Sequence, residues 1–276
     1  SRDKKMIQFA IFNKIDFIGL SFIENSDHLI KIRKLIKGNI PKLVAKIENK
    51  KGIENLSNII KKADCIMIDR GDLSTETNIE TLAINQKKII ETSLKYAKPV
   101  IVATEMLDNM INNPFPTKAE ALDIFNSIAD GATATMLSGE TAVGKYPVES
   151  IKVMAKIANT SIEHNNFVND KSDIEIYGMA TAIKNLCNML PINKVITITV
   201  SGFAARIVSA QRIKQPIIAV TNNQEASKGF NLFSNTKGIF FQTRYYKDNL
   251  DHIPKCINFL WKKKEISSND FILIVA

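Results

Sequence analysis

The chain has 276 residues, with 37 Lys and Arg against 28 Asp and Glu for a formal charge of +9, and it is 45% apolar and 24% charged. At roughly 150 residues per domain this length gives about two domains, each large enough for its own core. Only 11 Gly and 8 Pro in a chain of ordinary apolar content exclude collagen, a disordered polypeptide and a coiled coil.

In chain order, short β-type runs alternate with longer helical patterns, which predicts an α/β fold of parallel strands and crossover helices. Strands are expected at Phe17–Phe22, Lys42–Ile47, Cys65–Ile68, Val100–Ala103 and Ala134–Leu137. The intervening helices are expected at about Asp27–Lys37, Lys50–Lys62, Leu82–Tyr96 and Lys118–Ile128, with Ser26 and Gly38 as the start and stop signals of the first. A helix from about Val148 to Glu163 runs into HNNFVNDKSD, a polar stretch without periodicity and the expected domain boundary. The alternation then resumes with Tyr177–Leu190, Lys194–Thr199, Ala204–Arg212, Pro216–Val220, Ala226–Phe230, Gly238–Gln242, Leu250–Lys262 and Phe271–Val275, a second and smaller α/β sheet. Five βα units before the boundary fit either an open sheet or part of a closed eight-stranded barrel, and pattern alone leaves both open.

The charge and cysteines narrow the partners. Lysines are spread along most of the chain and the 7% aromatic residues do not interleave with them, favouring a solvated surface and no nucleic-acid partner. Positive charge also attracts phosphorylated metabolites. No window approaches the ~18 apolar residues of a membrane span, and the opening run is too short for a signal peptide, so a cytoplasmic protein without a membrane partner is expected. Cys65, Cys187 and Cys256 are scattered and odd in number, which argues for buried thiols rather than disulfides or zinc. A start at Ser1 and an uncapped apolar end, FILIVA, give the expectation of a fragment.

Polar residues gather at the carboxyl ends of the first five strands: Ser21, Lys46 with Glu48, Asp69 to Asp72, Thr104, and Ser138 to Glu140. In parallel α/β architectures that edge is where ligands bind. Strand alternation puts Lys46 and Glu48 on one face, as a structural ion pair or as part of a site. Asp72, at the end of the next strand, could approach Glu48, and two carboxylates plus substrate oxygens and water suit Mg²⁺. Gly71 lets backbone approach a ligand, and the Gly71 and Asp72 amides would receive an anion, although an R-G-D triplet also suits an ordinary turn. Thr104 and Ser138 could position water or relay a proton, or simply cap the following helices. His28, His164 and His252 fall away from these strand ends, so a Ser/His/Asp hydrolase is disfavoured.

The segments KLVAKIENKKGIENL, CIMIDRGDL, KPVIVATEMLDNMI, NPFPTKAEALD and DGATATMLSGETAVGKYPVES together resemble pyruvate kinase, as do DFIGLSFI before them and VSGFAARIVSAQRIKQPIIAVTNN after the boundary. The resemblance implies that residues 1–165 are strands four to eight of a (β/α)8 TIM barrel and that residues 175–276 are a smaller α/β regulatory domain. It also implies that the first three strands, an inserted lid domain, a phosphate-binding arginine, the ligands of K⁺ and a last C-terminal strand lie outside the chain, which would then be inactive alone. Carried over by position, Lys46 would stabilise the transferring phosphoryl group and the enolate, and Glu48 and Asp72 would hold Mg²⁺ or Mn²⁺. The amides of Gly71 and Asp72, with Thr104, would hold the carboxylate of phosphoenolpyruvate, and Thr104 and Ser138 would shape proton delivery to the enolate. Thr199, Ser201 and Gly202 resemble the family's turn for a phosphorylated effector, and a plain helix cap is the alternative. ADP and ATP as nucleotide partners and a homotetramer are further implications. Asp69 departs from the family's usual alanine, Ser74 from glycine, Glu105 from glutamine and Lys118 from arginine. Two other functions stay open: a catalytically silent chain that binds phosphoenolpyruvate or an effector, and another Mg²⁺-dependent barrel acting on pyruvate enolates.

Overall fold

A computed structural model describes residues 2–36, 38, 40–164, 175–245 and 249–276, with the side chains of 175–177 left aside; most of the expected boundary segment lies outside these residues. They form two compact units, one on each side of that segment. In the first unit the order is α1 (Arg2–Phe12), β1 (Phe17–Leu20), α2 (Ser26–Leu35), β2 (Lys42–Ile47), α3 (Lys50–Glu54), α4 (Leu56–Lys62), β3 (Cys65–Asp69), α5 (Arg70–Glu76), α6 (Leu82–Lys95), β4 (Val100–Ala103), α7 (Lys118–Asp130), β5 (Ala134–Met136), α8 (Gly139–Ala142) and α9 (Pro147–His164). The five strands pair in parallel and in chain order, β1-β2-β3-β4-β5.

The side chains explain that winding. Leu43, Ala45, Ile47, Ile66, Ile68, Val100 and Val102 alternate onto one face, fully or almost fully buried against Ile59, Ile60, Ile89, Ile90 and Ile124 of α4, α6 and α7. Every crossover helix that joins this core lies on that face, and no strand order reverses within the sheet. That is the winding of a (β/α)8 barrel wall, whereas a doubly wound sheet reverses its order and is covered on both faces. On the opposite face, towards the carboxyl ends, Lys46, Met67 and Met136 remain half-exposed. Register aligns Lys46 with Met67 and Asp69 with Ala103, so Lys46, Met67 and Asp69 share that face.

Two local expectations are corrected. Asn25, not Ser26, caps α2, its side chain accepting from the amides of Asp27 and His28, and the helix ends at Leu35 ahead of Gly38. The single helix expected over Lys50–Lys62 breaks at Asn55, whose carboxamide donates to the carbonyls of Lys51 and Glu24, at 3.2 and 2.9 Å, and so competes with the helical ladder. Helix α7 starts from a capping box, with the Thr117 side chain on the Glu120 amide and the Glu120 carboxylate on the Thr117 amide.

The second unit comprises α10 (Glu175–Met189), β6 (Lys194–Ile198), α11 (Phe203–Ala210), β7 (Ile217–Thr221), α12 (Gln224–Gly229), β8 (Thr236–Phe240), α13 (His252–Lys262) and β9 (Ile272–Val275). Its parallel sheet has the order β8-β7-β6-β9, reversing beside β6. One face packs Val195 and Ile217 against Ile183 and Val208 of α10 and α11, and the other packs Ile196, Ile198, Ile218 and Val220 against Cys256 and Leu260 of α13. A sheet covered on both faces needs strands apolar on both faces, as in IIAVT of β7, where every residue is buried. The three cysteines are buried free thiols, and burial, helped by Asp64, pushes Cys65 up to about 12. No helix among the described residues is long and apolar enough to cross a membrane.

Candidate active site

Strand β2 delivers Lys46 and, one step past its end, Glu48 to the same side, while Ile47 turns into the helix layer. Glu48 is wholly buried, and its Oε2 accepts the Phe22 amide at 2.5 Å, which anchors it to the loop after β1. Its Oε1 faces the Lys46 ammonium at 2.5 Å and, among the described residues, accepts no other hydrogen bond. The Lys46 ammonium also meets Asp69 Oδ2 at 2.9 Å and Ser21 Oγ at 3.3 Å. Burial is the largest single influence on Lys46 and works against its charge, but the hydrogen bonds and charges of Glu48 and Asp69 outweigh it and hold its pKa above the ordinary lysine value.

The R-G-D turn follows directly from β3 and opens α5. One oxygen from each of Glu48, Asp69 and Asp72 lies within 4.8 Å of the other two, so the two carboxylates singled out from sequence do converge, and a third joins them. The Gly71 amide donates to Thr104 Oγ1 at 2.9 Å, placing the threonine expected at the end of β4 against the turn expected at the end of β3. Thr104 Oγ1 has two acceptors in reach, its neighbour's carbonyl at 2.6 Å and Asp69 Oδ1 at 3.3 Å.

Thr104 and Glu105 both adopt positive φ, 68° and 53°, a left-handed conformation that a β-branched residue rarely takes. Arg70 holds them there. Its guanidinium, buried against Met106, donates to the Thr104 carbonyl at 2.7 Å and the Glu105 carbonyl at 2.7 Å, and pairs with Asp123 at 2.5 Å. The buried Glu140 ties two strand-end loops together, accepting the Leu107 amide at 2.9 Å and the Ser138 amide at 2.8 Å. Arg70 and Glu140 therefore fix the loops that carry Thr104 and Ser138, a role the sequence motifs did not reveal because the Thr104, Glu105 and Leu107 backbone groups they hold are 33 to 35 residues away.

Ser138 stands at the start of α8, yet its hydroxyl makes no capping bond and is exposed. Among the described residues no hydrogen bond links that hydroxyl to Thr104 or Lys46. Burial, with the neighbouring Glu140, Glu105 and Glu120 charges, raises the Asp108 carboxyl above its ordinary value, while Arg70 opposes the shift. Negative charge is thus concentrated around these loops, with Lys46 and Arg70 its counterweights.

In the second unit Thr199, Ser201 and Gly202 fall in one turn after β6, next to the reversal of strand order where open α/β sheets bind ligands. Thr199 Oγ1 accepts the Gly202 amide at 3.1 Å, Ser201 is exposed, and Gly202 has φ +83°. Gly202 stands at the cap position just before helix α11, which has no side-chain cap.

Comparison with known proteins identifies the family. The family model described as the pyruvate kinase barrel domain matches residues 1–151, and that described as the pyruvate kinase alpha/beta domain matches residues 178–276. A pyruvate kinase of Methanocaldococcus jannaschii is 37% identical over 99% of this chain and 62% of its own length. One from Thermotoga maritima is 42% identical over 81% of this chain and 49% of its own. The crystal structure of a pyruvate kinase from Cryptosporidium parvum superposes with a TM-score of 0.90 at 29% identity, covering 100% of this chain and 59% of that one. The chain thus spans about half to three fifths of the length of these relatives. With both of its units matched, in order and by the appropriate model, the chain belongs to the pyruvate kinase family.

Proposed function

We propose that the protein carrying this chain moves the phosphoryl group of phosphoenolpyruvate to ADP, giving pyruvate and ATP. The observation that carries the proposal is the convergence of Lys46, Glu48, Asp72 and Thr104 at the carboxyl ends of β2, β3 and β4. Phosphoryl transfer needs little beyond positioning and charge stabilisation, and this cluster is equipped for both.

The donor set fits a hard dication such as Mg²⁺ or Mn²⁺: carboxylate oxygens only, and a buried Glu48 Oε1 that has no bond beyond its ion pair. Glu48 and Asp72 would hold it, and it would supply neutralising charge beside the phosphoryl and enolate oxygens. The Lys46 ammonium would bind the transferring phosphoryl group and the developing enolate. The Gly71 and Asp72 amides, with the Thr104 hydroxyl, would orient the substrate carboxylate, at which point the Gly71–Thr104 bond is shared or exchanged. Thr104 and Ser138 would govern the proton delivered to the methylene carbon of enolpyruvate. The turn at Thr199, Ser201 and Gly202 would take a phosphorylated effector. As part of the same proposal, the full-length protein is a cytoplasmic, homotetrameric enzyme of glycolysis, with K⁺ a further cation of the site.

One Lys⁺–phosphate contact at ~4 Å contributes up to about 4 kcal/mol at an effective dielectric of 20, which corresponds to roughly a thousand-fold in rate. The full-length protein is therefore expected to produce pyruvate and ATP in a coupled assay, and Lys46→Met to lower kcat by about that factor. Binding of phosphoenolpyruvate by the full-length protein without turnover would instead make it a silent binding chain.

A further inference from the structure

Asp69 is only 8% exposed, yet it carries a carboxylate into a site that already holds two. Buried carboxylates are costly unless paired. Glu48 and Asp69 share a single ammonium, that of Lys46, at 2.5 and 2.9 Å, and Asp72 brings a third negative charge within 4.8 Å. Three carboxylates against one ammonium leave an excess of two negative charges, the charge of one divalent cation. Among the described residues the other oxygen of Asp69 has only the 3.3 Å contact to Thr104, too long to offset burial of the group. Glu48 Oε1, wholly buried and otherwise without a hydrogen bond, belongs to the same under-neutralised cluster.

We infer that Asp69 is a third carboxylate of the divalent-cation site, with the Lys46 ammonium standing in for the ion until the ion binds. This rests on the metal role proposed for Glu48 and Asp72, and adds to it a ligand where the related family commonly has alanine. Three considerations support it. The strand register brings Asp69 to the face that carries Lys46. As the last residue of β3 it directly precedes the R-G-D turn and keeps an oxygen within 4.8 Å of those of Glu48 and Asp72. Its oxygens are committed to one shared cation and one weak donor rather than to a structural network. Ion binding would release Lys46 from both carboxylates and leave the ammonium free for a phosphoryl oxygen. It would also leave the occupied site about neutral, instead of positive as with two carboxylates, favouring early binding of the ion over early binding of the anionic substrate.

The test uses the full-length protein and Mn²⁺ alone, without substrate, at constant ionic strength. Bound and free ion are followed by the electron paramagnetic resonance of free Mn²⁺, and the hydration of the bound ion by water-oxygen relaxation. Asp69→Asn, which keeps the shape of the side chain, and Asp69→Ala are expected to weaken Mn²⁺ binding by at least the roughly ten-fold that loss of an indirect partner of a metal ligand costs. At saturating Mn²⁺ either variant should carry one more water on the ion, because a vacated position in the octahedron is filled by solvent. Unchanged affinity in both variants overturns the inference, and so does weaker binding with unchanged hydration, which would make Asp69 a remote charge. Glu48→Gln separates this from the underlying proposal: loss of Mn²⁺ there with retention in the Asp69 variants rejects only the third ligand. Retention in all of them rejects the metal site itself.

Discussion

Gly71 is where protein and substrate requirements can be told apart. A methyl group added there would meet Thr104 Oγ1 at 3.6 Å and Asp69 Oδ1 at 3.7 Å, ordinary contact distances, so the protein accepts alanine. Gly71 lies in the first turn of α5 with no left-handed φ, so alanine brings no backbone strain there. Gly71→Ala is therefore expected to melt no lower than the parent. If the Gly71 amide faces the substrate carboxylate, the same methyl intrudes on the ligand and raises KM for phosphoenolpyruvate by roughly ten-fold or more. A thermal melt and a KM measurement on one variant decide it, and an unchanged KM would remove Gly71 from the substrate's surroundings. At this scale the sequence was informative where chemistry follows strand alternation, as for Lys46 and Glu48, and at strand ends, as for Asp72 and Thr104. Asp69 was legible as extra charge but not as a partner of Lys46, because that contact depends on the register of β2 against β3. Arg70 and Glu140 were illegible as loop clamps for a related reason, since the Thr104 carbonyl and the Leu107 amide that they hold are 34 and 33 residues away.

Elements were legible wherever periodicity carried the signal. Strands β2 and β4 match the expected residues, β1, β3, β5, β6 and β9 differ by one or two residues at one end, and β7 and β8 are displaced as a whole by one and two residues. What periodicity missed was the opening helix α1, the short α5 and α8, and the break between α3 and α4 at Asn55, where a side chain rather than a breaker residue interrupts the helix. The turn between β6 and α11 shows how an element can constrain a proposed binding residue. An alanine Cβ at Gly202 would lie 2.2 Å from Cε1 of the buried Phe230, and its φ of +83° already disfavours any side chain. Gly202→Ala should cost about 2–5 kcal/mol, combining backbone strain with overpacking. Denaturant unfolding of the variant measures this, and a loss below about 1 kcal/mol would mean that Phe230 yields readily. Loss of effector response in that variant would say nothing of phosphate binding. Ser201, exposed and outside this contact, is the residue at which the effector role is separable from stability.

The two units solve the burial of a parallel sheet differently, and the difference sets their dependence on further chain. In the second unit helices cover both faces of the sheet. In the first, among the described residues, the helices cover one face, β1 and β5 each pair with one strand only, and Phe17, Met67 and Met136 on the other face are half-exposed. An open parallel sheet with apolar side chains on its uncovered face and two unpaired edges is a template for association. Membership of a barrel family supplies what would close it: more strands in the same sheet, consistent with the greater length of the relatives. The 276 residues expressed alone are accordingly expected to aggregate, or to lack cooperative unfolding of the first unit. The same residues within a full-length protein should be monodisperse. Size-exclusion chromatography with light scattering, together with thermal unfolding of both proteins, tests this directly. The isolated chain could instead run as one discrete species with cooperative unfolding of both units. Five strands and their helices would then suffice for a stable half-barrel, and the open face would have to be covered by a second copy or by rearrangement within the chain.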